Sequence, residues 1–265
     1  MIILGFNVII GNMFKFWRSG TRERTSEITE DDRNWLFLAA DMHAHILPGL
    51  DDGAQNIEQS MELIESMQSR GFEKMVATPH INEDIYRNNG ITIGKALAGV
   101  KQEAERRGLT IKIDAAAEYM MDAGFMKLLE QDEPLLAIYE NKVLVEMSYI
   151  QESRYLYDAL FLMQAKGYKP ILAHPERYNF YHNRMNRYEE LKERGCMFQL
   201  NVIALSGYYG KEVKRTAEQL LEASMYDYCG SDIHHARHTQ AMTAVLNGSY
   251  FDRLASYDFL NREIL

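Results

Sequence analysis

Short apolar runs alternate with longer amphipathic segments along most of this chain, and the alternation restricts the possible fold more than any other feature of the sequence. Each run lies near glycine or proline, as is typical of β-strands. Seven runs are predicted as strands: residues 35–42, 74–80, 110–119, 142–148, 169–175, 197–202 and 226–232. Strands that alternate with helices favour a parallel sheet covered by helices.

The segments between the predicted strands carry helix signals. In NIEQSMELIESMQSRG, apolar residues recur every three or four positions from Ile57 to Met67, and Gly71 marks the C-terminus. In SRYLYDALFLMQAKG, Ser153 is the predicted N-cap and Gly167 follows the last turn. Either an open doubly wound sheet or a closed β/α barrel would fit. An open sheet concentrates functional groups at one switch point, whereas a barrel spreads them over the carboxyl ends of many strands.

Metal-capable side chains stand at the ends of six of the seven predicted strands. His43 and His45 are two residues apart, so both point to one face of an extended segment. The later strands end with His80, Glu118, Glu146, His174 and Asp232, the last followed by His234. Any one of these side chains alone is more often an ordinary loop residue. Their combined placement favours a barrel with a metal site, because Glu118 and Glu146 lie in apolar runs where an unpaired carboxylate is costly to bury.

The stretch DMHAHILPGLDDG adds three aspartates around the first histidine pair. Asp41 is as well suited to orient an imidazole as to bind a metal. Asp51 is expected to serve the PGLDDG turn, where aspartate and glycine are favoured for backbone reasons.

Composition and length limit the function classes. The 265 residues suit a single α/β barrel, which typically needs about 200 to 250. The net charge of −9 disfavours a nucleic-acid partner. Two cysteines, Cys196 and Cys229, are too few for a disulfide framework, so a reducing cytoplasm is the expected compartment.

The amino-terminal segment resembles a targeting sequence only superficially. Its apolar part is about ten residues long, too short for a membrane span, and lacks a preceding basic region. Residues 1–33 are predicted to be a flexible tail or linker, the alternative being a peripheral membrane contact through Phe14, Phe16 and Trp17. Residues 34–265 are predicted to form one domain.

The segments DMHAHILPGLDDG, ATPH, AAAEY, VEMS, AHPERY, FQLNVIALSGYYG and GSDIHH occur in this order and together resemble the polymerase and histidinol phosphatase (PHP) superfamily. Within it, the chain is similar to bacterial protein-tyrosine phosphatases of capsular and exopolysaccharide synthesis, from about Asp41 to His238. The resemblance implies an α/β fold, a distorted (β/α)7 TIM-like barrel of the PHP type. It also implies three divalent metal ions, with manganese favoured and iron or zinc as alternatives.

Carried over position by position, the resemblance assigns nine metal ligands. It places His43, His45 and Asp232 on one ion, which Glu118 bridges to a second. Glu146 and His174 complete the second ion's ligands, and a third ion is held by Asp52, His80 and His234. It implies that Arg177 in HPERY binds substrate phosphate. Arg237 is the candidate for a second phosphate-binding arginine, although it lies closer to the SDxH motif than the family's second arginine does.

The resulting hypothesis is a metal-dependent phosphomonoesterase in which a metal-activated hydroxide attacks phosphotyrosine directly. The implied substrate is the tail of a bacterial tyrosine kinase, which would place the protein in the cytoplasm or peripherally at the inner membrane through that partner, with homo-oligomers left open. Two other interpretations are a phosphatase for a small molecule such as histidinol phosphate and a non-catalytic regulatory module.

Aromatic side chains could stack against a phosphotyrosine ring. The candidates lie in predicted loops or at helix starts: Tyr155, Tyr157, Tyr178, Tyr181, Tyr208 and Tyr209. The competing expectation is that most of them pack helices onto the sheet.

Overall fold

Short parallel strands and α-helices alternate through residues 33–265, the part of the chain that the computed structural model describes. The strands are β1 (Ala40–Ala44), β2 (Lys74–Ala77), β3 (His80–Ile81), β4 (Lys112–Ala115), β5 (Glu118–Met120), β6 (Lys142–Glu146), β7 (Lys169–Ala173), β8 (Met197–Asn201) and β9 (Tyr228–Gly230). The α-helices are α1 (Ile57–Ser69), α2 (Gly90–Arg106), α3 (Ala123–Glu130), α4 (Leu156–Ala165), α5 (Met185–Glu193), α6 (Lys211–Glu222), α7 (Ala236–Leu246) and α8 (Phe251–Ala255). In this described part, no helix is both long enough and apolar enough to cross a membrane. Apart from Arg33, the predicted tail lies outside the described residues.

The strands form two parallel sheets, in the orders β1-β2-β4 and β3-β5-β6-β7-β8-β9. The predicted parallel α/β architecture is therefore confirmed. β1 and β6 are buried at every residue, as expected for parallel strands covered on both faces.

Two of the predicted strands are each split into two shorter strands. In both cases the first part belongs to one sheet and the second part to the other. Residues 74–80 form β2 and β3, separated by Thr78 and Pro79, and residues 110–119 form β4 and β5. Pro79 has no N–H to donate to a ladder, which accounts for the first break. Backbone bonds still cross the region: Ala116 N donates to Ala77 O (2.8 Å), and Glu118 N donates to Pro79 O (3.2 Å).

β1 and the residues after β9 also lie side by side. Asp232 N donates to His43 O (2.8 Å), and His45 N donates to Ile233 O (2.9 Å). Ala44 and Ile233 form a parallel bridge. The carboxyl end of the first strand therefore meets that of the last.

The predicted first strand, residues 35–42, was wrong in its position. The segment WLFL folds into a turn in which Leu38 N donates to Trp35 O (3.0 Å), and β1 begins only after Ala39, whose φ is 59°. Within this segment Trp35 and Leu38 are buried although they are not in a strand, and the ring of Trp35 stacks on that of Phe72 with centroids 6.4 Å apart. The shift places His43 within the strand.

The helix ends follow most of the predicted signals. Gly71 and Gly167 have positive φ values of 96° and 83°, each one residue after the C-cap of its helix. Ser153 was wrongly predicted as the N-cap of α4, where Tyr155 occupies that position without a side-chain cap. The hydroxyl of Ser153 instead donates to Met121 O (2.6 Å), which ties the loop after β6 to the loop after β5.

Candidate metal centre

The predicted metal ligands converge at the carboxyl ends of the strands. Eight of the nine form three overlapping groups, and within each group one donor atom per residue lies within 4.8 Å of the others. The groups are His43, His45, Glu118 and Asp232; His80, Glu118 and Glu146; and His45, Asp52, His80 and His234. The ninth residue, His174, places Nε2 3.0 Å from Glu118 Oε1.

The first group is fully enclosed. His43 Nε2 lies 3.2 Å from Glu118 Oε2 and 3.3 Å from Asp232 Oδ1. His45 Nε2 lies 3.3 Å from each of the same two oxygens and 3.2 Å from His43 Nε2. Two imidazoles and two carboxylates therefore direct four donor atoms at one another inside the protein.

Glu118 connects this group to the second. His80 Nδ1 lies 3.1 Å from Glu118 Oε2 and 2.9 Å from Glu146 Oε1. His174 Nε2 is closer to Glu118 than to Glu146, whose Oε2 is 4.0 Å away. The central carboxylate thus contacts imidazoles contributed by the ends of several strands.

The third group faces the solvent. Asp52 Oδ1 lies 3.5 Å from both His80 Nε2 and His234 Nε2. The Asp52 side chain is 58% exposed, whereas those of His80 and His234 are 14% and 13% exposed. An ion held here would be the most accessible to substrate.

The donor set fits divalent metal ions. Glu118 Oε2 and His80 Nδ1 are buried, and although they lie 3.1 Å apart, neither makes a contact with the geometry of a hydrogen bond. Burial raises the pKa of Glu118, but the charges of His43 and His80 outweigh burial and hold that pKa well below its ordinary value. Burial lowers the pKa of His45, yet Asp51 and the other carboxylates raise it well above its ordinary value. The cluster therefore favours added positive charge, and imidazole with carboxylate suits manganese, iron or zinc.

Neighbouring side chains fix the orientation of the imidazoles. His43 Nδ1 is 2.8 Å from Gln199 Oε1, and His45 Nδ1 is 2.7 Å from Asp51 Oδ2. Donation from Nδ1 to these acceptors leaves Nε2 of each ring free to bind a metal. Sequence reasoning did not find Gln199, which is 156 residues from His43.

The two aspartates of DMHAHILPGLDDG that received no metal assignment have different roles. Asp51 accepts from Gly53 N, as a turn residue would, but its other oxygen accepts from His45 and from His80 N (3.1 Å). Asp41 contacts no imidazole, because its oxygens accept from Ser231 Oγ (2.6 Å) and Ser231 N (2.9 Å). The orienting role considered for Asp41 thus belongs to Asp51.

Asp51→Ala is expected to weaken metal binding about 10- to 100-fold, the usual cost of losing a carboxylate that orients a ligating histidine. Calorimetric titration of metal-stripped protein with manganese measures the change. Asp132→Ala, a substitution at an exposed aspartate, is the control. Equal affinity for Asp51→Ala and the unsubstituted protein would contradict the orienting role.

The backbone bends sharply where ligands leave the strands. His174 and Asp232 have φ values of 35° and 51°, a region that residues other than glycine rarely adopt. Gly53 permits a close approach, since a Cβ there would lie 2.1 Å from His45 O. Gly230 likewise permits a close approach to His43, because a Cβ at position 230 would lie 2.8 Å from His43 Cβ.

Arg177 lies next to the cluster. Its Nη1 donates to Asp232 Oδ2 (2.7 Å), and its guanidinium stacks between the rings of Tyr149 (4.4 Å) and Tyr209 (4.2 Å). The structure does not bring Arg237 to the same place, because this arginine is exposed in the first turn of α7.

A cavity of about 340 Å³ opens above the cluster. Asp52, His80, Glu146, Arg177 and His234 line it, together with the aromatic side chains of Tyr86, Tyr149 and Tyr209. Its walls therefore combine candidate metal ligands, a cation and aromatic rings.

The aromatic residues of the cavity differ from most of those proposed from the sequence. Of the six predicted tyrosines, Tyr209 alone lines the cavity, and Tyr178 and Tyr181 belong to the buried core. Tyr86 and Tyr149 were missed. The position of Tyr149, three residues after β6, is a signal that could have identified it.

Comparison with known proteins identifies relatives over most of the chain. Residues 39–246 match the family model described as capsular polysaccharide synthesis, CpsB/CapC. The tyrosine-protein phosphatase YwqE of Bacillus subtilis is 28% identical over 233 residues, which is 85% of this chain and 90% of YwqE. The tyrosine-protein phosphatase CpsB of Streptococcus pneumoniae is 27% identical over 202 residues, which is 74% of this chain and 82% of CpsB.

A solved structure is also similar. It comes from work on YwqE of B. subtilis and CpsB of S. pneumoniae, described as unique metal-dependent tyrosine phosphatases. The match has a TM-score of 0.72 at 27% identity and covers 82% of this chain and 89% of that one. On the extent of the family match, this chain belongs to the CpsB/CapC family of capsular polysaccharide synthesis.

Proposed function

We propose that this chain is a metal-dependent phosphatase that removes phosphate from tyrosine residues of proteins. The observation that carries the proposal is the buried carboxylate of Glu118, which lies among imidazoles. One of them, His80, lines the cavity that also contains Arg177. The activities of YwqE and CpsB agree with this chemistry.

The proposed ligands are the nine residues that the family resemblance assigns, and the proposed complement is three divalent ions with manganese favoured. Three overlapping donor groups support that number. His45 belongs to both the first and the third group, and His80 belongs to both the second and the third. These two imidazoles therefore lie between neighbouring ion positions. Bound metal ions would supply a water molecule made acidic enough to ionise near neutral pH, and would stabilise the attacking and leaving oxygens of the phosphate ester.

The side chains of the cavity bind and orient the substrate. Arg177 offers N–H donors and positive charge to the phosphate oxygens, and the rings of Tyr149 and Tyr209 hold its guanidinium in place. These rings, with Tyr86, also present aromatic surfaces on which a tyrosyl ring could pack. Because a phenol has a pKa near 10, the departing tyrosine needs little help from a proton donor. The assignment of Arg237 as a second phosphate-binding residue remains a prediction.

The proposed substrate is a phosphotyrosine protein, specifically the tail of a bacterial tyrosine kinase that controls polysaccharide export. Membership in a capsule-synthesis family supports this choice. It would place the protein in the cytoplasm, or at the inner membrane through its partner.

We further propose that residues 34–265 form one domain whose two sheets close into a distorted (β/α)7 barrel. The parallel bridge between Ala44 and Ile233 supports closure at one side, and the bonds that link residues 77–79 to 116–118 support continuity at the other. If β2 with β3 and β4 with β5 each count as one interrupted strand, seven strand positions result.

The test of function is an assay of metal-stripped protein supplied in turn with manganese, iron, zinc or chelator, on a phosphotyrosine peptide and on histidinol phosphate. We expect hydrolysis of the peptide with at least one of these metals, little with chelator, and a lower kcat/KM for histidinol phosphate. Metal analysis of untreated protein identifies the resident ion. Preference for histidinol phosphate would favour the small-molecule alternative, and absence of metal-dependent turnover on both substrates would favour the regulatory one.

A further inference from the structure

A second depression opens beside the catalytic cavity and shares part of its wall. It lies between segments 82–85, 120–122 and 147–155 and has a volume of about 810 Å³. Asn82, Ile85, Met120 and Tyr149 line both spaces. A polypeptide whose phosphorylated side chain enters the cavity can therefore continue past these residues into the depression, here named the flank groove.

Apolar side chains stand open to solvent on two edges of the flank groove. Ile85 is 70% exposed and Ile150 is 88% exposed, on the loops that follow β3 and β6. Met120, which is half-buried, also lines the groove, and the side chains of Met121 and Met147 are buried behind its wall. Methionine adapts to differently shaped apolar partners, and covering exposed isoleucine is favourable, so the groove suits an apolar side chain.

The charges of the flank groove disfavour an acidic occupant. Its lining contains three carboxylates, Asp84, Asp122 and Glu152, and one arginine. That residue, Arg154, stacks on the ring of Tyr155 at 4.6 Å. Glu152 is paired with Arg187 (2.8 Å), whereas Asp84 makes no ion pair among residues 33–265, so Asp84 adds negative charge to the groove.

We propose that the flank groove binds the residues next to phosphotyrosine in the substrate, and that it selects an apolar side chain over an acidic one there. The inference rests on the proposed phosphotyrosine activity and adds the sequence preference of the same site. Because the groove and the cavity share four lining residues, the selected side chain lies close to the phosphotyrosine along the peptide.

The test compares two phosphotyrosine peptides of equal length, one with leucine and one with glutamate at the positions flanking phosphotyrosine, and free phosphotyrosine as a third substrate. The enzyme is expected to prefer the leucine peptide, through a lower KM. Ile150→Ser is expected to reduce this preference about three- to tenfold, the effect of uncovering part of one apolar side chain. Ile91→Ser is the matched control, because Ile91 is 84% exposed and lines neither space.

The outcomes separate this inference from the proposed function. Hydrolysis of free phosphotyrosine with equal kcat/KM for the two peptides would overturn the inference and leave the proposed function standing. A leucine preference that Ile150→Ser does not reduce, or that Ile91→Ser reduces equally, would also overturn the assignment to the flank groove. Failure to hydrolyse any of the three substrates would overturn the proposed function and, with it, the inference.

Discussion

Glu118→Gln is expected to lower kcat on a phosphotyrosine peptide by about 10³-fold or more, because the substitution removes the negative charge that two donor groups share. Glutamine keeps the size of the side chain, so the effect separates charge from packing. The buried imidazoles around it would lose their common anionic partner, and bound metal should fall in parallel. Turnover under saturating manganese and metal content after dialysis are the two measurements.

Two further variants make this result interpretable. Glu130→Gln changes an exposed glutamate at the end of α3 and should retain full activity. His43→Ala should reproduce the loss at a second residue of the same group. A Glu118→Gln protein that retains a tenth or more of the original kcat, with unchanged metal content, would show that Glu118 does not bridge a catalytic site.

Arg177→Ala is expected to lower kcat/KM about 10²- to 10³-fold, the usual effect of removing a donor that stabilises charge on the reacting group. Arg177→Lys should recover only part of the loss, because an ammonium keeps the charge but neither stacks as a planar group between Tyr149 and Tyr209 nor forms paired N–H bonds to phosphate. Steady-state kinetics with phosphotyrosine peptide and inhibition by inorganic phosphate measure both effects.

Metal content must be measured with these kinetics, because Arg177 also donates to Asp232. Loss of activity at normal metal content would assign the effect to phosphate binding, whereas loss of metal would assign it to the orientation of Asp232. Activity of Arg177→Ala within about threefold of the original would contradict both roles. Arg237→Ala, assayed beside it, shows whether an arginine outside the cavity contributes at all.

The parallel α/β architecture and the convergence of most metal-capable side chains could be predicted from the sequence because both depend on local pattern. Apolar runs punctuated by glycine and proline located the strand regions other than the first, and parallel strands bring their carboxyl ends together. His43 and Glu118 could therefore be expected to meet without knowledge of the loops. The run at Trp35 misled because burial of a turn against Phe72 and burial of a strand leave the same apolar pattern.

Residues whose roles depend on tertiary contacts escaped prediction. Gln199 lies in a strand and is distinguished only by its contact with His43, far away in the chain. The local sequence explained Asp51 as a turn residue, so its hydrogen bond to His45 was not predicted. Tyr86 and Tyr149 belong to loops whose paths no periodicity determines.

The left-handed backbone at His174 and Asp232 has a consequence for protein engineering. Each such residue costs on the order of 1–3 kcal/mol, a substantial part of a typical folding free energy of about 5–15 kcal/mol. Glycine at either position would relieve the conformational cost while deleting a metal-capable side chain. At His174 and Asp232 backbone strain and the metal cluster therefore make opposing demands on the residue, so a thermostability screen of this chain needs an activity filter from its first round.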